Sequence, residues 1–255
     1  MPASLKAAWG VARSLGIYYG RPWHFRTMDA FYRRFLRPGD LAFDLGAHVG
    51  NRIRSWRRLR ARVVAVEPQP SLVAVLRLLY GRDPQVTITA AAIAGTDQTS
   101  MPLYLNLANP TLSTTSSAFI AHAATAPSFH GQRWQQIIEV PSITLDGLIA
   151  AHGAPRFVKI DIEGHEHEAL RGLSKPLRAL SVEFVPMHRS VIEAALDRLA
   201  QLGDYRFNAS YGDDMRLLHP RPLLGAELRE WLRQQGDDGP CGDIYASLDP
   251  ALLCP

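Results

Sequence analysis

Short apolar runs and longer amphipathic stretches take turns along this chain, and their alternation sets the expected fold. Leu41–Leu45 is an apolar run interrupted by one acid, and Val63–Val66 is a second run that ends at Glu67. Val86–Ala90, Phe157–Ile162 and Leu180–Val185 repeat the pattern. Runs of this kind fit strands buried on both faces, as in a parallel sheet. Between them lie segments with helical spacing. In 49–60, Ile53, Trp56 and Leu59 recur three apart, and in 191–202 Ile192, Leu196 and Leu199 form a stripe. Pro70–Tyr80, Leu145–His152 and His165–Leu173 also read as helices. Tyr205–Tyr211 and Asp243–Leu248 read as closing strands, with an amphipathic helix over Leu223–Gln234 between them. Strand and helix in regular alternation predict an α/β, doubly wound, Rossmann-like sheet.

Two stretches depart from the rhythm. Residues 1–40 read as a helical extension, with Phe31, Phe35 and Leu36 spaced to bury one face and Pro38-Gly39-Asp40 turning into the first strand. This extension is expected either to cap a ligand or simply to pack on the sheet. Residues 41–255 then form one domain with an insertion at about 93–143. Within it, Leu103–Leu105 and Ile137–Val140 are expected to pair as a hairpin. The Ser-, Thr- and Pro-rich chain between them reads equally as a binding loop or as disorder.

Composition narrows the picture a little. With 255 residues, 47% hydrophobic and 20% charged, the chain is suited to a large soluble core. A formal net charge of +4 is too mild to name a nucleic-acid partner, and the arginines of 52–60 read as the solvated face of the first helix. Two late cysteines, Cys241 and Cys254, make neither a disulfide framework nor a zinc site. No apolar stretch is long enough to span a bilayer. A cytoplasmic protein is the expectation.

The candidate chemistry lies at strand ends. In an open α/β sheet, ligands bind outside the carboxyl ends of the strands, where strand order reverses. Here Asp44 to Gly46, Glu67, Asp161 to Gly164 and Glu183 to His188 fall at such ends, so acids converge on one crevice. Asp44-Leu45-Gly46-Ala47-His48-Val49-Gly50-Asn51 has two glycines separated by three residues, not the tight pair that admits a pyrophosphate. An acid two residues before the first glycine would repel a phosphate but suits a cationic amine. Glu67 is placed to accept ribose hydroxyls. This combination favours S-adenosylmethionine over a nicotinamide dinucleotide.

The same residues carry a family resemblance. Phe43–Gly50, Val66-Glu67-Pro68, Thr144-Leu145-Asp146, Val158–Glu166 and Val182-Glu183 together resemble the FkbM-type group of class I methyltransferases, with weaker agreement at Cys241–Tyr245. The resemblance implies a mostly parallel sheet whose last strand is antiparallel. It also implies S-adenosylmethionine-dependent transfer to a hydroxyl of a small molecule, sugar, glycolipid or secondary metabolite. By it, Asp44, Gly46, Gly50 and Glu67 hold the cofactor, with Ala47, His48, Asn51 and Pro68 beside them in the motifs. Asp161 sits by the methionine portion or the methyl group. His48 replaces the family's usual Asn.

Methyl transfer to an alcohol needs alignment and a group to take the proton. Asp161, Glu163, His165 and Glu183 are the candidate catalytic residues, with Glu163 or His165 as base. Glu166 and Glu168 need no role beyond favouring a helix N-terminus. His165 and His167 are two apart, not the spacing of a zinc pair. No metal ligand set is assigned, although Asp161, Glu163 and Glu183 are of the type that a divalent cation takes. His188 is open between a loop residue and a site residue. The competing functions are a nucleic-acid methyltransferase and a non-catalytic S-adenosylmethionine-binding module. No nucleic-acid partner is expected.

Overall fold

The computed structural model describes residues 3–21 and 23–255. Two helices, α1 (Ala3–Tyr19) and α2 (His24–Tyr32), precede the sheet. Its first half is β1 (Leu41–Leu45), α3 (Asn51–Arg58), β2 (Arg62–Val66), α4 (Pro70–Tyr80) and β3 (Val86–Thr89). The second half is α6 (Leu145–His152), β7 (Phe157–Ile160), α7 (Glu166–Arg171), β8 (Ala179–Phe184), α8 (Arg189–Leu202), β9 (Arg206–Tyr211), α9 (Gly225–Gln234) and β10 (Gly242–Ser247). Between the halves lie β4 (Ala92–Ile93), β5 (Ser100–Leu105), α5 (Ser117–Ala123) and β6 (Gln136–Ile143).

The seven-stranded sheet has the order β3-β2-β1-β7-β8-β10-β9. The first five are parallel, and β10 runs antiparallel to both β8 and β9. The expected mostly parallel sheet with an antiparallel last strand is present. Leu45 at the end of β1 faces Val66 of β2 on one side and Ile160 of β7 on the other. Strand order reverses there, so the crevice opens between the carboxyl ends of β1 and β7.

Both faces of the sheet are covered, and the strands show why their sequences read as continuous apolar runs. Phe43, Val64, Val66, Val158 and Val182 pack into one core layer. Their neighbours Ala42, Val63, Ala65 and Phe157 pack into the other. Period-two side chains thus all find apolar partners. The second layer is aromatic. Phe157 stacks on Phe35 with ring centroids 4.6 Å apart and meets Trp56 edge-on at 6.0 Å. Phe35 also lies parallel to Tyr245 of β10 at 5.6 Å. The segment around α2 is therefore fixed by plain packing, with Phe31, Phe35 and Leu36 buried as expected.

The structure corrects several boundaries. β7 ends at Ile160 and α7 begins at Glu166, because Glu163 and Gly164 take left-handed φ of 55° and 92° and break the chain between them. The expected hairpin forms, with Leu103 opposite Ile138, and β4 adds a two-residue parallel strand too short to leave a pattern. The chain between β5 and β6 is ordered around α5, which is N-capped by the Ser116 hydroxyl accepting from the Phe119 N–H. The row of arginines is a solvated face only in part, at Arg58 and Arg60, which are exposed. Arg52 turns inward to Asp213 and Asp243, Arg57 pairs with Asp83, and Arg58 pairs with Asp29. Arg54 covers the Phe25 ring at 4.1 Å. Among the described residues, no helix is long and apolar enough to cross a membrane.

Phe157 is fully buried and touches rings from the N-terminal segment, α3 and β10. Phe157→Ala is expected to cost ~3–5 kcal/mol, read as a lower midpoint in urea denaturation. A loss below ~1 kcal/mol would show that this aromatic layer does not hold the sheet.

Candidate active site

The crevice depends on one close approach. Gly46 has a φ of 82°, and a Cβ there would lie 1.8 Å from the Asp161 carbonyl oxygen. Only glycine lets the loop after β1 pass the end of β7. Backbone bonds fix that passage. Gly46 and Ala47 donate to the Val66 carbonyl, and Asp161 donates to the Leu45 carbonyl. Gly50, also left-handed at 81°, then starts α3.

Glu67 joins the loops after β1 and β2. Its Oε2 accepts the His48 N–H and its Oε1 accepts the Gln69 N–H, both at 2.9 Å. Each carboxylate oxygen keeps a further lone pair for a ligand hydroxyl. Burial nevertheless pushes the carboxyl up to about 7, the two backbone donors notwithstanding. A cavity lies against this corner and contains about 830 Å³ of empty space, counting its open mouth.

Beneath the cavity runs a network of buried charge. Lys159 is only 1% exposed, and its Nζ lies 3.0 Å from Asp161 Oδ2 and 2.7 Å from Asp243 Oδ1. Burial works against both charges of the first pair. The Lys159 and Arg52 cations still bring Asp161 down to about 2, and Asp161 and Asp243 raise Lys159 above its ordinary range. Asp44 has no such contact among the described residues. Burial lifts it to about 7, against the pull of Arg52 and Lys159, and its Oδ2 has no hydrogen-bond partner.

Three carboxyl groups meet in the cavity wall. One oxygen from each of Asp161, Glu163 and Glu183 lies within 4.8 Å of the others. Burial, then the charge of Asp161, raises Glu163 and Glu183 well above the usual carboxyl range.

Glu166 shapes the loop that carries them. Its buried carboxylate accepts the backbone N–H groups of Ile162 and Gly164 at 3.0–3.2 Å. It is therefore the brace of the left-handed turn at Glu163, more than a helix-terminal acid. Glu168 behaves as a surface acid and pairs with Arg171.

Most of the residues marked by the sequence converge. Gly46, His48, Asn51, Glu67, Pro68 and Asp161 line the cavity, and so do Glu163 and Glu183. Asp44, Ala47 and Gly50 are buried but do not line it. His165 is not in the lining either, and its Nδ1 is 2.7 Å from the Thr115 hydroxyl. His188 packs away from the cavity, stacked on Phe119 and 3.1 Å from His122.

Four contributors were not among the residues marked by the sequence, although the insertion was expected to be either a binding loop or disordered. Arg52 was one arginine in a row of similar ones. Lys159 had a signal, a lone cation inside an apolar strand. Tyr18 reaches the cavity from α1 and meets His48 edge-on at 5.3 Å. The insertion supplies the fourth part. Pro110, Ser113 and Thr114 line the cavity, Ser113 and Pro110 bond the Gln69 side chain, and the Thr114 hydroxyl donates to the Glu163 carbonyl at 2.6 Å. The loop is a wall of the site.

This geometry occurs in a chain that matches the Methyltransferase FkbM domain over residues 44–238. The chain belongs to the FkbM methyltransferase family. It is an S-adenosylmethionine-dependent methyltransferase. No curated protein matches it. Solved structures with a similar fold include an O-methyltransferase from Bacillus cereus in complex with SAH. That structure is 11% identical, with a TM-score of 0.46 over 94% of this chain and 90% of the other. A precorrin-6y C5,15-methyltransferase from Geobacter metallireducens is 12% identical, with a TM-score of 0.44 over 86% of both chains. The Aeropyrum pernix fibrillarin bound to S-adenosyl-L-methionine is 9% identical, with a TM-score of 0.41 over 82% of this chain and 67% of the other.

The residues of this FkbM-family site fit that cofactor. His48, Asn51, Arg52 and Glu183 line the cavity and hold buried nitrogen or oxygen atoms without a protein partner. Unsatisfied buried polar atoms are costly, so their grouping in one cavity marks a polar ligand site. Asp161, held ionised in the cavity wall, suits a cationic amine.

Asp44 gives a pH test of this reading. Between the unfolded carboxyl value of ~4 and about 7, the folded protein keeps a proton on Asp44 that the unfolded chain releases. The cofactor-free protein therefore loses stability as pH rises through that window. Asp44→Asn is expected to match wild type at pH ~4 and to melt a few degrees higher at pH ~8. Differential scanning calorimetry reads this. A variant that melts lower at pH ~8 would show that the ionised carboxylate stabilises the empty site.

Proposed function

We propose that this FkbM-family enzyme methylates a hydroxyl oxygen of a small molecule, sugar, glycolipid or secondary metabolite. The observation that carries the reading is the group of carboxyls in the cavity wall, Asp161, Glu163 and Glu183, with two of the three held toward protonation. When bound, S-adenosylmethionine supplies an electrophilic methyl group on a sulfonium. In this reading the Glu67 carboxylate holds ribose hydroxyls, and His48 and Asn51 bond the cofactor's polar edges. Asp161, kept ionised by Lys159, faces the positive methionine end. Asp44 adds negative charge from behind the wall once it ionises.

The protein's own tasks are then alignment and proton removal. An acceptor hydroxyl seated against Glu163 is held for in-line attack, the part of the barrier that orientation lowers most. As the oxygen attacks, its proton passes to the Glu163 carboxylate. A carboxyl with a raised pKa is the better base for an alcohol once ionised. Glu163 is favoured over His165 because it lines the cavity, while His165 is engaged by Thr115. Glu183 is the alternate acceptor within the same group. The acidic wall speaks against a phosphate-bearing polynucleotide.

Calorimetric titration with S-adenosylmethionine tests the binding half. Wild type is expected to bind, and Glu67→Ala is expected to weaken binding at least ~10-fold, as loss of charge-assisted hydrogen bonds does. Wild type that fails to bind would overturn the assignment of the cavity. For the catalytic half, release of S-adenosylhomocysteine is followed across a panel of hydroxylated acceptors. Glu163→Gln is expected to keep cofactor binding and to lose ~10²–10⁴ in kcat, whereas His165→Ala keeps most of its rate. The acid limb of the kcat profile should lie above ~4, in keeping with the raised Glu163 and Glu183. Full activity in Glu163→Gln would remove Glu163 as base, and salt-sensitive RNA binding would favour a polynucleotide acceptor.

A further inference from the structure

The outer face of α1 is the wrong polarity for a helix in water. At roughly 100° per residue, Leu5, Ala8, Trp9, Ala12, Gly16 and Ile17 fall on one side of the helix, and all are exposed. Arg13 and the half-buried Lys6 are the charges within this arc. Leu5, Trp9 and Ile17 are 54%, 66% and 55% exposed, and Trp23, just beyond the helix, is 67% exposed. The opposite side is the one that packs, with Gly10 against Leu107 and Pro110 and with Ser14 buried. A surface helix normally turns its apolar stripe inward. This one presents apolar groups on its outer side.

The neighbouring helix α4 also carries exposed apolar groups. The Tyr19 and Tyr80 hydroxyls are 2.6 Å apart and tie the end of α1 to the end of α4. Leu78 and Leu79 of α4 are exposed as well, Leu78 to 84%. Of the large hydrophobic side chains exposed among the described residues, most therefore lie on α1, at Trp23 or at the end of α4.

Charge decides which partner fits. The first 28 residues contain Lys6, Arg13, Arg21 and Arg26 and no acid. The other 24 basic residues are balanced by 24 acidic ones, so the whole positive excess of the chain sits in this segment. Arg13, Arg21 and Arg26 are exposed. A second copy would set one basic face against another. An anionic lipid surface complements both features. It attracts lysine and arginine at its headgroups and accepts tryptophan and aliphatic side chains at the acyl boundary.

We propose that α1 and the adjoining Trp23 dock this enzyme on the surface of an anionic lipid bilayer. The helix lies in the interface with Leu5, Trp9 and Ile17 down and the arginines among the headgroups. Tyr18 on the same helix lines the catalytic cavity, so docking sets the cavity beside the bilayer surface. This does not depend on which hydroxyl is methylated.

Sedimentation with vesicles tests it. The whole protein is mixed with phosphatidylcholine vesicles, with and without about 30% phosphatidylglycerol, a content that gives an anionic surface. Wild type is expected to pellet with the anionic vesicles and to be released by high salt. Each basic residue at such a surface contributes about fivefold in partitioning, so the double variant R13E/R21E should lose at least ~25-fold. The double variant W9S/W23S should lose binding while its S-adenosylmethionine affinity and melting temperature stay at wild-type values, since both positions are exposed. Wild type that stays in solution with anionic vesicles overturns the proposal. So does pelleting that W9S/W23S leaves unchanged. A concentration-dependent dimer in light scattering that W9S/W23S abolishes would instead assign the face to a second copy. Cofactor binding is measured separately, so failure of the cavity assignment and failure of the docking are distinguishable.

Discussion

A single buried ammonium group sets the terms for this active site. Lys159 lies in the middle of the sheet with almost no exposure, between Asp161 and Asp243. A buried cation of this kind is tolerable only when paired, and removing one partner of such a group is expensive. The two acids come from the end of β7 and from the antiparallel strand β10. The lysine therefore ties the last strand of the chain to the crevice between β1 and β7. It also fixes which carboxyl in the wall carries charge. With Asp161 ionised, Glu163 and Glu183 are pushed toward protonation by burial and then by its field. Ionised and proton-holding carboxyls side by side are the arrangement that acid–base chemistry needs.

The rest of the site is built around that polarity. Gly46 allows the close passage of two backbones, and Glu67 pins the loops after β1 and β2 with its two oxygens. Glu166 braces the left-handed turn that presents Glu163. The insertion closes the wall through Thr114, Ser113 and Pro110. Each of these contacts is a backbone or side-chain hydrogen bond made at the carboxyl end of a strand. The apolar layers behind them, especially the Phe35–Phe157–Tyr245 stack, carry no chemistry but hold those ends in register.

Much of the fold was legible in advance because buried parallel strands leave unbroken apolar runs, and Pro70–Tyr80 and Leu145–His152 were readable to the residue. The misreadings have separate causes. Where an element is short, as in β4 and α5, no period has room to repeat. The breaks at Glu163 and Gly164 depend on Glu166 accepting two backbone donors, a contact that helix propensity does not encode. The arginines of α3 were assigned to water because a charged row normally faces it. Acids elsewhere in the chain drew Arg52 inward and paired Arg57 and Arg58, and the Phe25 ring took Arg54.

The sequence by itself determined the family, the cofactor and the strand-end acids, because these follow from residue type at fixed local spacing. Gly46, Glu67 and Asp161 each sit where an apolar run stops, and their chemistry can be read there. Tertiary structure alone decided which acids stay charged and which hold protons. That depends on Lys159, Arg52 and Asp243 meeting across strands far apart in the chain, and on how much water the packed layers exclude. It also decided that Tyr18 and the insertion wall the cavity. Spacing fixes what a residue is able to do. Burial and the charges brought beside it fix what it does.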